Sequence, residues 1–208
     1  MHGIDLTATL PGKRDIANAA RKGRNKMMKS ALGALIAALA MFLWGFAYWG
    51  SGVIDPFTHM SAEAETAVGS ALTTNFAADG VYFVPDSKVG TEEDWFQRMS
   101  AGPVAMINFR QGGTAPMQTT MALGFLHMLI TSILLAALLM FVAPASTYAA
   151  RFRLVAVIGV IAAFFTHLGQ PIWWHYPWSY AMVGAAYDAG AYVIAGAILA
   201  YFVTPATR

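Results

Sequence analysis

Few side chains in this sequence are equipped to do chemistry in an apolar setting. His127, His167 and Asp188 each interrupt a long apolar run, and His175 lies in the aromatic segment PIWWHYPW. An ionisable group inside a membrane span is costly and marks a pairing or functional role. Counting helical rise from the ends of the runs places His127 and Asp188 each roughly 12 Å from one boundary, and His167 roughly 6 Å from it. Those depths predict that His127 and Asp188 meet as an intramembrane polar pair, a ring N–H donating to a carboxylate. Such a pair would clamp two helices together, or serve as a proton relay or ion site.

Two other chemistries draw on the same residues. His127 and His167 are cofactor candidates, because two imidazoles facing each other at one depth hold a b-type haem. Arg110 or His175 would then receive its propionates. His127, His167, His175 and Asp188 are the metal candidates, with Met117, Met121 and Met128 in the same region. Thioether and imidazole together suit copper, although methionine more often only fills space. The simplest expectation is no cofactor. The chain has no cysteine, which removes disulfides, thiolate metal sites and cysteine nucleophiles. No hydrolase motif, zinc-protease motif or phosphate loop is present, so no enzymatic activity is expected.

The elements that must position these residues are membrane spans. Hydrophobic residues make up 57% of the chain and charged residues 12%, a balance far from that of a soluble domain. The apolar residues fall in four blocks, and about twenty apolar residues suffice to cross the hydrocarbon core. The spans are read as 31–50, 119–143, 154–170 and 179–203. Pro171 is expected to end the third, since proline disfavours helix in the residue before it. The first block follows a long basic segment and precedes no small-residue cleavage site, so it reads as a retained anchor.

Basic residues give the direction. Seven precede the first span, Arg151 and Arg153 lie in the 144–153 loop, and Arg208 ends the 204–208 tail. Positive segments stay cytoplasmic, which puts both termini inside a bacterial-style inner (cytoplasmic) membrane and residues 51–118 outside it. The basic segment 1–30 would also attract anionic lipid, and its stretch from Asp15 to Lys29 is suited to a helix along the membrane. Trp44, Trp49, Trp173, Trp174 and Trp178 are expected to form an aromatic belt, with 171–178 as an outer interfacial turn.

Residues 51–118 are too many for a simple connector. A helix is predicted over Ser61–Ala78, stopped by Gly80. GVYFVPD and PVAMINF read as strands. Thr91 and Asp94 form a capping-box pattern ahead of TEEDWFQRM. This small α/β cap has little core of its own and should lean on a neighbour, and its strand edges would accept a partner strand.

The expected fold is an all-α transmembrane four-helix bundle with a small α/β extracytoplasmic insert between helices 1 and 2. Small-residue faces, Gly33, Ala34, Ala37 and Ala38 in the first span and Ala181, Ala185 and Ala189 in the fourth, suit close helix packing, within the chain or between subunits. The partners expected are the lipid bilayer and either further copies of the chain or other membrane proteins. Nothing suggests nucleic acid. The function expected is a structural or accessory subunit that self-associates or joins a larger membrane complex. Alternatives are a haem- or metal-binding redox subunit using His127 and His167, and a small transporter or channel with Asp188 on its pathway.

Overall fold

A computed structural model describes residues 12–142 and 147–203. Its elements run α1 (Lys13–Trp49), α2 (Ala62–Asn75), β1 (Gly80–Val84), α3 (Glu92–Ala101), β2 (Ala105–Phe109), α4 (Met117–Val142), α5 (Tyr148–Trp173) and α6 (Trp178–Phe202). The chain is mostly helical, with one two-stranded sheet. Four helices, α1, α4, α5 and α6, are long and apolar enough to cross a membrane. The start of the basic segment, residues 143–146 at the head of the expected loop, and the 204–208 tail with Arg208 lie outside the described residues.

Several expected boundaries move, and α5 begins at Tyr148, six residues before the expected 154, so that Arg151 and Arg153 lie in its first turns and not in a loop. The basic segment is no separate surface helix: α1 runs unbroken from Lys13 to Trp49. Between Asp15 and Ser30 only Gly23 disfavours helix, and a single glycine costs about 1 kcal/mol. α5 continues through Pro171 to Trp173. A proline in the last turn forfeits one backbone bond, and the helix closes beyond it where the Trp174 amide donates to the Gln170 carbonyl at 2.9 Å.

The described residues divide into two compact units. The first comprises those of Met1–Leu43, Phe125–Val157 and Tyr192–Arg208. Its core follows lipid logic, with small residues inward and large ones outward. Ala34, Ala37, Ala38 and Met41 of α1 are buried, while Leu32, Leu35, Leu39 and Leu43 are exposed. A methyl group on Gly33 would collide with Phe202. The small-residue face of α1 is therefore used inside the chain. Ser132 of α4 donates to the Met41 sulfur at 3.6 Å, and Phe42 meets Phe125 edge-on with centroids 5.7 Å apart. Arg151, at the start of α5, is buried and donates to the Ala200 carbonyl through Nε (3.0 Å) and Nη2 (2.7 Å). Ala200 lies in the last turn of α6, where carbonyls have no helical partner.

The second unit comprises Trp44–Gly124 and Ile158–Ala191. Its α/β part follows the sequence closely. Ser61 caps α2, accepting from the Ala64 amide at 3.2 Å. The end of α2 comes earlier than expected: Phe76 is its C-cap, and Gly80 instead opens β1. Phe76 leaves the helix to stack on Tyr82, centroids 4.0 Å apart, and to meet Phe109 edge-on at 5.3 Å. β1 and β2 pair antiparallel, Gly80 opposite Phe109 and Val84 opposite Ala105. The Gln111 amide donates to Asp79 Oδ1 at 2.8 Å and ties the open end of the hairpin.

The capping box of α3 is fully formed. The Asp94 amide donates to Thr91 Oγ1 and the Thr91 amide to Asp94 Oδ2, each at 3.1 Å. Bonds from Thr91 hold the Asp94 carboxyl below its ordinary value. The ionised form is thus the one the fold favours. Its contribution is complete above the ordinary value of 3.8 and is lost as pH falls through the lowered folded value. We expect Thr91→Ala to speed hydrogen exchange of the first-turn α3 amides about five-fold at neutral pH, the worth of one cap. The pH-sensitive bond is the other one, Thr91 N–H to Asp94 Oδ2: Asp94→Ala should speed exchange of the Thr91 amide at neutral pH, and that excess should shrink as wild type protonates below pH 3.8. A constant excess across that range would contradict the assignment.

Candidate functional site

Two ionisable residues of the second unit, His167 of α5 and Asp188 of α6, meet between their helices. His167 Nε2 lies 2.8 Å from Asp188 Oδ2. The pairing partner of Asp188 is thus His167, in place of the His127 expected from depth counting. Depth does not decide the choice. His167 lies six residues from Trp173 and Asp188 ten from Trp178, the facing ends of α5 and α6. At 1.5 Å per residue these are about 9 and 15 Å, so it is the room left by Gly184 that seats His167 against Asp188.

Gly184, one turn before Asp188 on α6, makes the pair possible. A Cβ there would stand 2.6 Å from both Cε1 and Nδ1 of His167. Only a hydrogen at this position lets the imidazole lie against α6 and aim Nε2 at the carboxylate. Glycine, then aspartate one turn on, shares a helix face. That spacing was readable in the sequence, but its meaning depended on which histidine lay opposite.

The same stretch of α6 is held by α1. Trp44 Nε1 donates to the Tyr187 carbonyl at 3.1 Å, and the Tyr48 hydroxyl donates to the Val183 carbonyl at 2.9 Å. Val183 and Tyr187 are one turn apart, so the two donors staple α1 along one face of α6. Carbonyl oxygens keep a second lone pair for such bonds inside a helix. The indole of Trp44 rests on Gly190, where a Cβ would come within 2.8 Å of Cζ2. Tyr187 in turn packs against Tyr48 and Trp49, both with centroids 5.4 Å away.

Trp44 therefore departs from the expected aromatic belt and acts as an internal bolt. Trp173, Trp174 and Trp178 are exposed, as a belt residue would be, and Trp49 is exposed on one side only. His127 belongs to the first unit. Its ring is exposed and without a partner among the described residues, and its carbonyl accepts from Thr131 Oγ1 at 3.0 Å. His175, in the turn after α5, adopts a positive φ of 59°, uncommon for a residue other than glycine.

Chemically, the His167–Asp188 pair can share one proton. As a metal or haem ligand the imidazole is poorly placed. Nε2 is engaged by the carboxylate, and the edge carrying Nδ1 lies against Gly184. Among the described residues no group of three or more His, Asp or Glu side chains converges as a metal site would require. The arrangement suits a clamp between helices. No family model, curated protein or solved structure matches this chain.

Proposed function

We propose that this protein is a non-enzymatic subunit of the inner membrane that crosses the bilayer four times. Both termini are cytoplasmic, and residues 51–118 form a cap on the far side. Its role is structural or accessory, within a larger assembly of membrane proteins.

The observation that carries this reading is α2. It is fourteen residues long, capped at both ends, and contains no buried residue. Isolated helices of that length are marginal in water. Helices in folded proteins persist because one face is covered, and α2 has Val68 at 46% exposure, while Phe57 and Met60, which precede it in the chain, are also exposed. A covering surface is required, and a partner subunit supplies it. The cap carries eight acidic and three basic residues, a net charge of −5. Two such caps repel each other, so the partner is a different, more basic protein.

The closed His167–Asp188 pair supports a clamp over a redox site. A small transporter remains the second reading, because the Asp188 side chain is 35% exposed. Native mass determination after mild extraction, with a visible spectrum on the same sample, tests the proposal. A mass above that of the 22.3 kDa chain, made up by another polypeptide, and a colourless sample are expected. A monodisperse monomer would contradict the subunit role, and a Soret band would restore haem. For the transporter, Asp188→Asn would abolish flux while leaving assembly intact.

A further inference from the structure

The cap contains a groove of about 980 Å³, wholly within the second unit. Every residue from Val81 to Ser87 lines it, and none of β2 does. Side chains of a strand alternate between two faces. A surface met by the four consecutive strand residues Val81–Val84 therefore runs along the strand's edge, on the side away from β2, and continues past the turn at Pro85–Ser87. Its opposite wall is built by Trp95 and Met99 of α3 and by Trp173, Trp174 and His175 after α5.

That edge is unsatisfied. β1 has one neighbour in a two-stranded sheet, so every second residue of β1 turns its N–H and C=O toward the groove. Among the described residues nothing bonds to the outward backbone groups of Val81–Val84. Two polar side chains of α3 are already committed: Trp95 Nε1 donates to the Pro85 carbonyl at 3.0 Å, and Arg98 donates to the Val89 carbonyl. The open polar groups in the groove are thus those of a β-ladder.

We infer that this groove receives an extended segment of a partner protein, which adds to β1 as a third strand. A lipid or small aromatic compound would fill the apolar walls but could not pair a row of amides and carbonyls. An added strand satisfies both. The four strand residues Val81–Val84 at roughly 3.3 Å each give about 13 Å of free edge, which the middle of a seven-residue segment covers. A second cap, bringing its own sheet, is too bulky for a recess between β1 and α3. The net charge of −5 on the cap selects a segment with basic residues at its ends. This inference names the contact through which the proposed accessory role would operate, and rests on that reading.

The test uses the full chain in phosphatidylcholine nanodiscs and dye-labelled heptapeptides of alternating valine and threonine. A lysine-ended peptide should bind saturably by fluorescence anisotropy. A glutamate-ended peptide should bind at least ten-fold more weakly. N-methylation of alternate amides should abolish binding, as should Ser87→Trp or Met99→Trp, each of which fills part of the groove. Unchanged near-ultraviolet circular dichroism would show that a variant is folded. No saturable binding of the lysine-ended peptide overturns the inference. Binding that survives N-methylation also overturns it, and identifies the groove as an amphiphile site. Native mass reports separately on the accessory role: a monomeric native protein that still binds the peptide sinks that role alone, and a hetero-complex that binds no peptide sinks the strand alone.

Discussion

His167→Phe is expected to cost about 1–3 kcal/mol of stability, read as a lowered midpoint of thermal unfolding in detergent. The figure is below the ~3–5 kcal/mol of fully buried pairs, because the Asp188 side chain is 35% exposed. Phenylalanine preserves the volume against Gly184 and removes only the partner of the carboxylate. The damage therefore comes from Asp188, left without its hydrogen-bond partner among apolar helices. Removing the carboxylate as well, in His167→Phe with Asp188→Leu, should return most of the loss, since an apolar pair of similar volume replaces an ion pair at little cost. This non-additivity is the signature of a direct pair. Gly184→Val should reach a similar loss by another route, by driving the imidazole off α6 at a site where even a methyl group meets Nδ1 at 2.6 Å. Additive effects of the two single substitutions would mean that His167 and Asp188 do not act on each other.

Arg151→Met is expected to lose about 1.5–3 kcal/mol, the range for a hydrogen bond to a charged group. The guanidinium is 7% exposed and places Nε and Nη2 on the Ala200 carbonyl. Positive charge at a helix C-terminus is favourable in itself, and here it also satisfies a carbonyl that α6 cannot. Methionine fills the space and leaves that carbonyl open. Arg151→Lys should recover less than half, because an ammonium cannot fork as guanidinium does. Hydrogen exchange localised to the last turn of α6 would distinguish this loss from general destabilisation. A variant as stable as wild type would reduce Arg151 to a topology signal.

Much of the local structure was legible in the sequence because it is decided locally. Four apolar blocks long enough for a bilayer became α1, α4, α5 and α6, and the Thr91–Asp94 pattern became a complete capping box. The errors came where packing overrode a local rule. Pro171 disfavours helix at Gln170, yet α5 absorbs it in its final turn. Depth counting also chose the wrong histidine, because the absent side chain of Gly184 is what admits the His167 ring beside Asp188. Phe76 left α2 before Gly80 because its ring gains more by stacking on Tyr82. Trp44 had the composition of a belt residue but found a carbonyl on α6 instead. The roles of Gly184 and Arg151 were hidden for the same reason. Each depends on a partner distant in sequence, and the residue type alone does not announce it.

The accessory role is tested most directly by hydrogen exchange across Ala62–Asn75 in two preparations: native membranes, and the purified chain in nanodiscs of the same lipids. The lipid surface is then constant and only the partner differs. Covered by a partner, the amides of α2 should exchange at least ten-fold more slowly in native membranes than in nanodiscs. Equal rates in the two would mean that no other protein covers this helix, and would contradict the account.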